Sequence, residues 1–162
     1  MPITANTTPT PATQDFDFLT SNDKPALLGL SNPELLEAAK GALEQLGYRV
    51  HVAINHGEFI HKFAQAPYQV IVLEETFSCN APEENESIAY LQRLNMQLRR
   101  HAVVVLFGYQ LSTFNPMQAF QKGVHAVVNP AEMFLLTQLI QKAVSENDLF
   151  LHTFRTAHTR VA

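Results

Sequence analysis

Hydrophobic and polar positions along most of this chain alternate between two periods. From Pro25 onward, short apolar runs suited to buried strands take turns with stretches in which apolar residues recur every three or four positions, the spacing of one helix face. Residues 26–30 form a continuous apolar run, which predicts a strand buried on both faces. Ser31 or Asn32 can cap the next element, and Pro33 suits its first turn. Leu35, Leu36, Ala39, Leu43 and Leu46 then keep helical spacing until Gly47. The pattern goes on with a strand over 48–54, a short helix over 57–65 and a strand over 68–73. A polar loop over 75–85 follows. Ile88, Leu91, Leu94 and Leu98 predict a helix over 86–100, and nearly pure Val and Leu predict a strand over 102–107. Residues 116–122 give a short helix, 124–128 a fifth strand, and 131 to about 145 a last long helix.

Strict alternation of strand and helix implies a parallel sheet covered on both faces by right-handed crossovers. The expected fold is therefore α/β, a flavodoxin-like doubly wound sheet of five parallel strands in the order 2-1-3-4-5. Ligands of such sheets gather at the carboxyl ends of the strands. Any site should lie near Leu30, Ser31, Glu74, Phe107, Gly108 and Asn129.

The two ends of the chain fall outside this pattern. Residues 1–23 are rich in Thr and Pro, and Phe16, Phe18 and Leu19 are their only large hydrophobic cluster. Such a stretch buries too little to offset its ordering entropy and reads as a flexible arm, either inert or carrying a weak docking segment over 15–19. Residues 24–145 form the domain, and 146–162 a C-terminal extension containing Leu149, Phe150, Leu151, Phe154 and Val161.

Composition narrows the function. At 162 residues the chain makes one domain, and its 16% of charged residues falls below the usual ~25%. A net charge of -4 argues against a dedicated nucleic-acid binder. The single Cys79 excludes an internal disulfide and fits a reducing cytoplasm. No run approaches the ~20 apolar residues that span a bilayer, and the first residues lack the basic start and apolar core of a signal peptide. A cytoplasmic protein without a membrane segment is expected.

Several stretches resemble the receiver domain of two-component response regulators. Ser31-Asn32-Pro33-Glu34-Leu35-Leu36, Leu46-Gly47-Tyr48-Arg49-Val50 and the stretch 55–58 are similar to the family's first strand through its second helix. Tyr68-Gln69-Val70-Ile71-Val72-Leu73-Glu74 resembles its third strand, and Ala119-Phe120-Gln121-Lys122-Gly123-Val124 the join between its fourth helix and fifth strand. Asn129-Pro130 stands where the family has Lys-Pro. The resemblance covers residue 25 to about 145. It implies a site of two adjacent acids that hold Mg²⁺, a phosphoacceptor aspartate, a Thr or Ser that bonds the phosphoryl group, and a Lys that pairs with it. Here the acid-pair positions are Leu30 and Ser31, the phosphoacceptor position is Glu74, and the Thr and Lys positions are Phe107 and Asn129.

Those replacements remove the chemistry. Mg²⁺ wants hard oxygen ligands, commonly carboxylates, and phosphoryl transfer rests on positioning and on cations that neutralise developing charge. Phosphorylation of the ordinary kind is not expected. Glu74 is then either a fixed negative charge imitating part of a phosphoaspartate or a solvated carboxylate at a strand end. The family also carries an inward-swinging aromatic residue three positions before the Lys, where Ala126 stands. Dense interiors do not hold bulk at both positions, so Phe107 is expected to fill the switch cavity and lock the fold in one state.

Other chemistry is sparse. His51, His56 and His61 lack the spacing of a metal site and read as surface histidines. Cys79 lies in an acidic loop that disfavours its thiolate. No phosphate-cradling glycine motif occurs, so no cofactor and no metal are expected. Arg93, Arg99 and Arg100 read as a solvated helix end. The last helix carries a wide apolar stripe, and Tyr109, Phe114, Met117, Phe134, Leu135, Phe150 and Phe154 are the candidate interface. Either the extension folds back over this stripe or the stripe joins two copies in a homodimer. The sequence thus reads as a non-catalytic pseudo-receiver that acts on protein partners of a signalling pathway, with no nucleic acid or membrane involved. The alternative is a small-ligand sensor using the crevice beside Ser31, Glu74, Gly108 and Asn129. An enzyme is disfavoured, because no nucleophile and base are assembled.

Overall fold

Five parallel strands lie in one sheet in the order β2-β1-β3-β4-β5, as the sequence pattern predicts. The computed structural model describes residues 23–95, 99 and 101–161, the side chains beyond residue 153 excepted. The Thr/Pro-rich arm over 1–22 with its docking segment, Arg100, and the side chains of Phe154 and Val161 lie outside the described residues. The strands are β1 (Pro25–Gly29), β2 (Arg49–Val52), β3 (Val70–Glu74), β4 (Val103–Phe107) and β5 (Ala126–Val128). The helices are α1 (Pro33–Gln45), α2 (His56–Gln65), α3 (Glu86–Arg93), α4 (Pro116–Lys122) and α5 (Leu136–Val161), with 3₁₀ turns over Pro82–Glu84 and Pro130–Leu135.

The central strands β1, β3 and β4 are buried at every position, which is why their sequences are mostly aliphatic. Alternate side chains divide between two cores. Leu28, Val72, Val105 and Phe107 pack toward Leu35 and Leu43 of α1 and Leu139 and Ile140 of α5. Leu27, Ile71, Leu73 and Leu106 pack toward Phe59 of α2, Leu91 of α3 and Ala119 of α4.

Asparagine starts each of the helices α1 to α4. Asn32, Asn55, Asn85 and Asn115 each accept a hydrogen bond from a backbone amide in the first turn. Asn129 does the same for the 3₁₀ turn after β5. Each such cap stabilises its helix by roughly 1 kcal/mol relative to alanine. Gly29 ends β1 for a steric reason: a Cβ there would stand 2.6 Å from Leu73 Cδ2 and 3.0 Å from the Phe77 ring.

Two helices differ from the sequence expectation. α3 stops at Arg93, where Leu94 turns to extended backbone (ψ 145°) and keeps its side chain against the second core. The last helix does not stop near 145. After the 3₁₀ turn, interrupted at Glu132, α5 runs unbroken to Val161. No Gly or Pro occurs after Pro130 to end it. The extension over 146–161 therefore continues α5 and does not fold back.

Candidate functional site

Glu74 is the last residue of β3, in register with Phe107 of β4 at the carboxyl edge of the sheet. It is 5% exposed, so it is not the solvated carboxylate that was one of its two sequence readings. Its Oε1 accepts hydrogen bonds from the backbone amides of Ser31 (2.8 Å) and Asn32 (3.1 Å). Both amides precede α1 and have no partner within that helix, which begins at Pro33. A glutamate reaches about one C–C bond, ~1.5 Å, further than an aspartate, and here that length brings the carboxylate across to the β1–α1 turn.

The neighbouring polar groups also bond to the protein itself. Ser31 Oγ accepts from the Ser78 amide at 2.8 Å, tying the β1–α1 turn to the loop after β3. Asn32 uses Oδ1 to cap α1 and Nδ2 to donate to the Tyr109 hydroxyl at 3.2 Å. Asn85, buried, donates to the carbonyls of Glu74 and Glu75, both at 3.0 Å, while its Oδ1 caps α3. Asn129 donates to the carbonyls of Tyr109 (3.2 Å) and Leu111 (2.9 Å), accepts from the Ala131 amide, and receives its own amide partner in Thr113 Oγ1. Asn129 thus fastens the loop between β4 and α4 to the end of β5.

Leu30 and Phe107 contribute only apolar surface here. Leu30 belongs to the core shared with α1 and α5, and Phe107 in the same core is 0% exposed. Phe107 does not fill the space beside Ala126, contrary to expectation. A groove of about 200 Å³ is open there, with Phe114, Ala119 and Leu139 among its walls. The register explains the difference. Phe107 pairs with Val128, while Ala126 pairs with Val105, two residues further from the carboxyl edge.

Sequence reasoning missed a second acid. Glu75, also buried, follows Glu74 and forms an ion pair with Lys122 of α4 at 3.2 Å. Gly108 makes room for it, since a Cβ at that position would meet Glu75 Oε2 at 2.5 Å. Beside this pair lies a cleft of about 470 Å³ whose walls include Glu74, Phe107, Gly108, Tyr109, Gln118 and Lys122. The Glu-Glu doublet and the lone lysine before Gly123 were the available signals, but they stand far apart in sequence.

A second surface lies between α4 and α5. The groove beside Ala126 shares His125, Ala143 and Glu146 with a neighbouring one of about 360 Å³, which reaches Phe150. Phe114 therefore stands toward one end of this surface and Phe150 toward the other, both exposed. Lys142 lies over the Phe114 ring at 5.4 Å. Met117 and Phe120 of α4 are exposed as well; Phe120, at 83%, was not among the sequence candidates although it sits three residues from Met117. Of the other candidates, Tyr109 joins the carboxyl-edge cleft. Phe134 is exposed and Leu135 half-buried on the 3₁₀ turn that packs against α1. Neither lines the α4–α5 groove. Arg99 lines that groove, half-buried, and is no part of α3; burial lowers its affinity for the proton. His125 accepts from the Val104 amide through Nδ1 at 3.0 Å. Burial first, then the charge of Arg99, lowers its pKa, against a side-chain hydrogen bond to Asn147 that raises it.

The remaining sequence candidates resolve simply. His51 is buried against the Tyr68 hydroxyl at 2.7 Å, and His56 is half-buried with Nδ1 2.8 Å from Ser87 Oγ. Neither is the surface histidine expected; His61 is exposed beside Gln65. No group of three or more metal-ligating side chains occurs among the described residues. Cys79 is half-buried and its pKa is raised, by burial first and by Glu84 and Glu74, with the Ala81 backbone acting the other way. Among the described residues no helix is long and apolar enough to cross a membrane.

No protein-family model and no curated protein matches the chain. Solved structures do. A CheY-like response regulator receiver domain protein from Methanospirillum hungatei is 20% identical with a TM-score of 0.59, covering 78% of this chain and 97% of its own. The chemotaxis response regulator CheY4 of Vibrio cholerae is 14% identical (TM-score 0.56; 75% and 98% covered). A response regulator from Thermotoga maritima is 16% identical (TM-score 0.59; 76% and 98% covered). These likenesses show the fold, and they span nearly the whole of each neighbour.

Proposed function

We propose that this chain is a pseudo-receiver: a domain of receiver fold that signals by binding partner proteins and carries no phosphoryl chemistry of its own. The observation that supports this most directly is the Glu74 carboxylate, whose Oε1 is held by the Ser31 and Asn32 amides. In the phosphoacceptor position it is already bonded to the turn that should carry the metal ligands. Around it Leu30, Phe107 and Asn129 stand in place of an acid, a hydroxyl and a lysine, and the polar groups that remain bond to loops of the protein. The reading assigns residues 24–145 to the domain and places the protein in the cytoplasm. The partner-binding surface is the α4–α5 face carrying Phe114, Met117 and Phe150, with a protein of a signalling pathway or a second copy as occupant.

The test is incubation with a small phosphodonor and Mg²⁺, followed by intact mass. An unchanged mass is expected, and a stoichiometric acyl phosphate overturns the reading. The cleft of about 470 Å³ beside Glu75 and Lys122 favours one alternative, a small-ligand sensor. A metabolite that raises the melting temperature of the wild type, but not of a Gln121→Trp variant that obstructs this cleft from its exposed wall, would establish the sensor in its place.

A further inference from the structure

The amino ends of the strands, opposite the Glu74 crevice, border a cleft of about 850 Å³. α5 helps to form it by running on beyond residue 145, so that Val144 and Leu151 meet Pro25, Tyr48, Pro67 and Val103 across the opening. Leu151 is buried there although Leu149 and Phe150 beside it are exposed. Pro25, Tyr48, Pro67, Val103, Val144 and Leu151 give the cleft an apolar part within a wall that is otherwise polar, and it is large enough for a bound group, since enclosing pockets commonly measure ~300–1,000 Å³.

We propose that this cleft is the docking site of the chain's own segment Phe16-Asp17-Phe18-Leu19. The described chain begins at Asp23, which is itself part of the cleft wall. Leu19 is four residues from Asp23 and Phe16 is seven, so even the farther one is tethered within about 24 Å of extended chain. These are the only large hydrophobic side chains clustered in the first 24 residues, and each phenylalanine buries ~150–250 Å² when covered. Asp15 and Asp17 alternate with the aromatic residues, and Lys24 stands in the cleft wall as a cation they can face. Of the two acids in its wall, Asp23 pairs with Arg49 at 3.8 Å, and Asp148 lies on α5 beside Tyr48. A short tether holds the segment at an effective concentration on the order of millimolar, which favours it over the same segment from a second copy. This docking is independent of the pseudo-receiver reading, because it uses the opposite end of the sheet.

The test uses the full chain with Phe16→Ser, Phe18→Ser and Leu19→Ser, and a fluorescent peptide of residues 12–22 as probe. The peptide is expected to bind the triple variant and to bind the wild type at least tenfold more weakly, since the wild-type cleft is occupied. Hydrogen exchange at residues 144–152 is expected to be faster in the variant. Equal binding to both proteins, or no binding to the variant, overturns the proposal. So does a wild-type dimer that the triple substitution converts to monomer, because the segment would then dock on a second copy. The substituted residues precede the sheet and its cores, and a single cooperative melting transition of the full-length triple variant, lowered only by the loss of docking, is the check on folding.

Discussion

Glu74 and Ser31 meet across the carboxyl edge of the sheet, with the Ser31 amide 2.8 Å from Glu74 Oε1. The same oxygen takes the Asn32 amide, so one carboxylate orders the whole β1–α1 turn. Glu74→Ala removes both acceptor contacts and should destabilise the fold by about 1–3 kcal/mol, read as a lower urea midpoint. Glu74→Asp places an aspartate at the position proposed to match a phosphoacceptor but draws the carboxylate back from the amides. It should lose similar stability and still yield no acyl phosphate, because Leu30, Ser31 and Asn129 supply neither metal ligands nor a cation. An aspartate variant that is phosphorylated would show that Glu74 alone silences the site.

Asn85 joins the same edge from the other side. Its Oδ1 caps α3 and its Nδ2 donates to the carbonyls of Glu74 and Glu75. Asn85→Ala loses all of these contacts in a buried position and should cost about 2–4 kcal/mol. Asn85→Asp separates the two roles, since it keeps the cap acceptor and loses both donors, setting a carboxylate against two carbonyl oxygens. It should be at least as destabilising as the alanine variant. An aspartate variant as stable as wild type would mean that the cap alone matters.

Lys122 neutralises Glu75 from α4, with its own side chain 40% exposed. Solvent weakens such a pair, so Lys122→Met should cost only about 1 kcal/mol, mostly through the carboxylate left behind. Added salt should narrow the difference between variant and wild type. A loss that is insensitive to salt would point to packing of the lysine stem instead of its charge.

The sheet was legible because buried parallel strands leave little choice of residue. Val70, Ile71, Val72 and Leu73, like Val103 to Leu106, are aliphatic on both faces, and the Asn and Pro residues after the strands mark the helix starts. Glu74, Phe107 and Asn129 could be placed by matching strands. What the polar ones do could not, because each acts on partners far along the chain: Glu74 on Ser31 and Asn129 on the Tyr109 and Leu111 carbonyls, as the unplaced Glu75 does on Lys122. The open groove beside Ala126 was missed for a similar reason, since volume compensation between strands depends on register. The length of α5 was within reach, and the absence of Gly or Pro after Pro130 was its signal.

Phe120 and Phe150 expose apolar rings on α4 and α5, on the face proposed to bind a partner. Neither ring supports the cores, so Phe120→Ser with Phe150→Ser should leave the melting temperature within about 1–2 °C of wild type. If the face joins two copies, light scattering should show the wild type associating with rising concentration and the double variant remaining monomeric. If the occupant is another protein, both remain monomeric and only the variant fails to retain it. A double variant that associates or binds like wild type removes this face from consideration.

His125 gives the fold a specific dependence on acid. Burial and the nearby Arg99 charge outweigh the Asn147 hydrogen bond and lower its pKa from the ordinary ~6.5. As the pH falls below that ordinary value, the unfolded chain takes up a proton that the folded protein still refuses. The unfolded state therefore binds more protons, and stability falls with pH. The contribution is fully present above the ordinary value and is lost as the pH drops through it toward the folded one. Protonation also converts Nδ1 from the acceptor of the Val104 amide into a donor, which breaks the contact at the β4–β5 edge. His125→Asn keeps an acceptor oxygen and cannot take the proton. Urea midpoints measured from pH 7.5 to 5 should fall more steeply for wild type than for this variant. The carboxylates are common to both proteins and cancel in the comparison, so parallel curves would exclude His125 as the source of acid sensitivity.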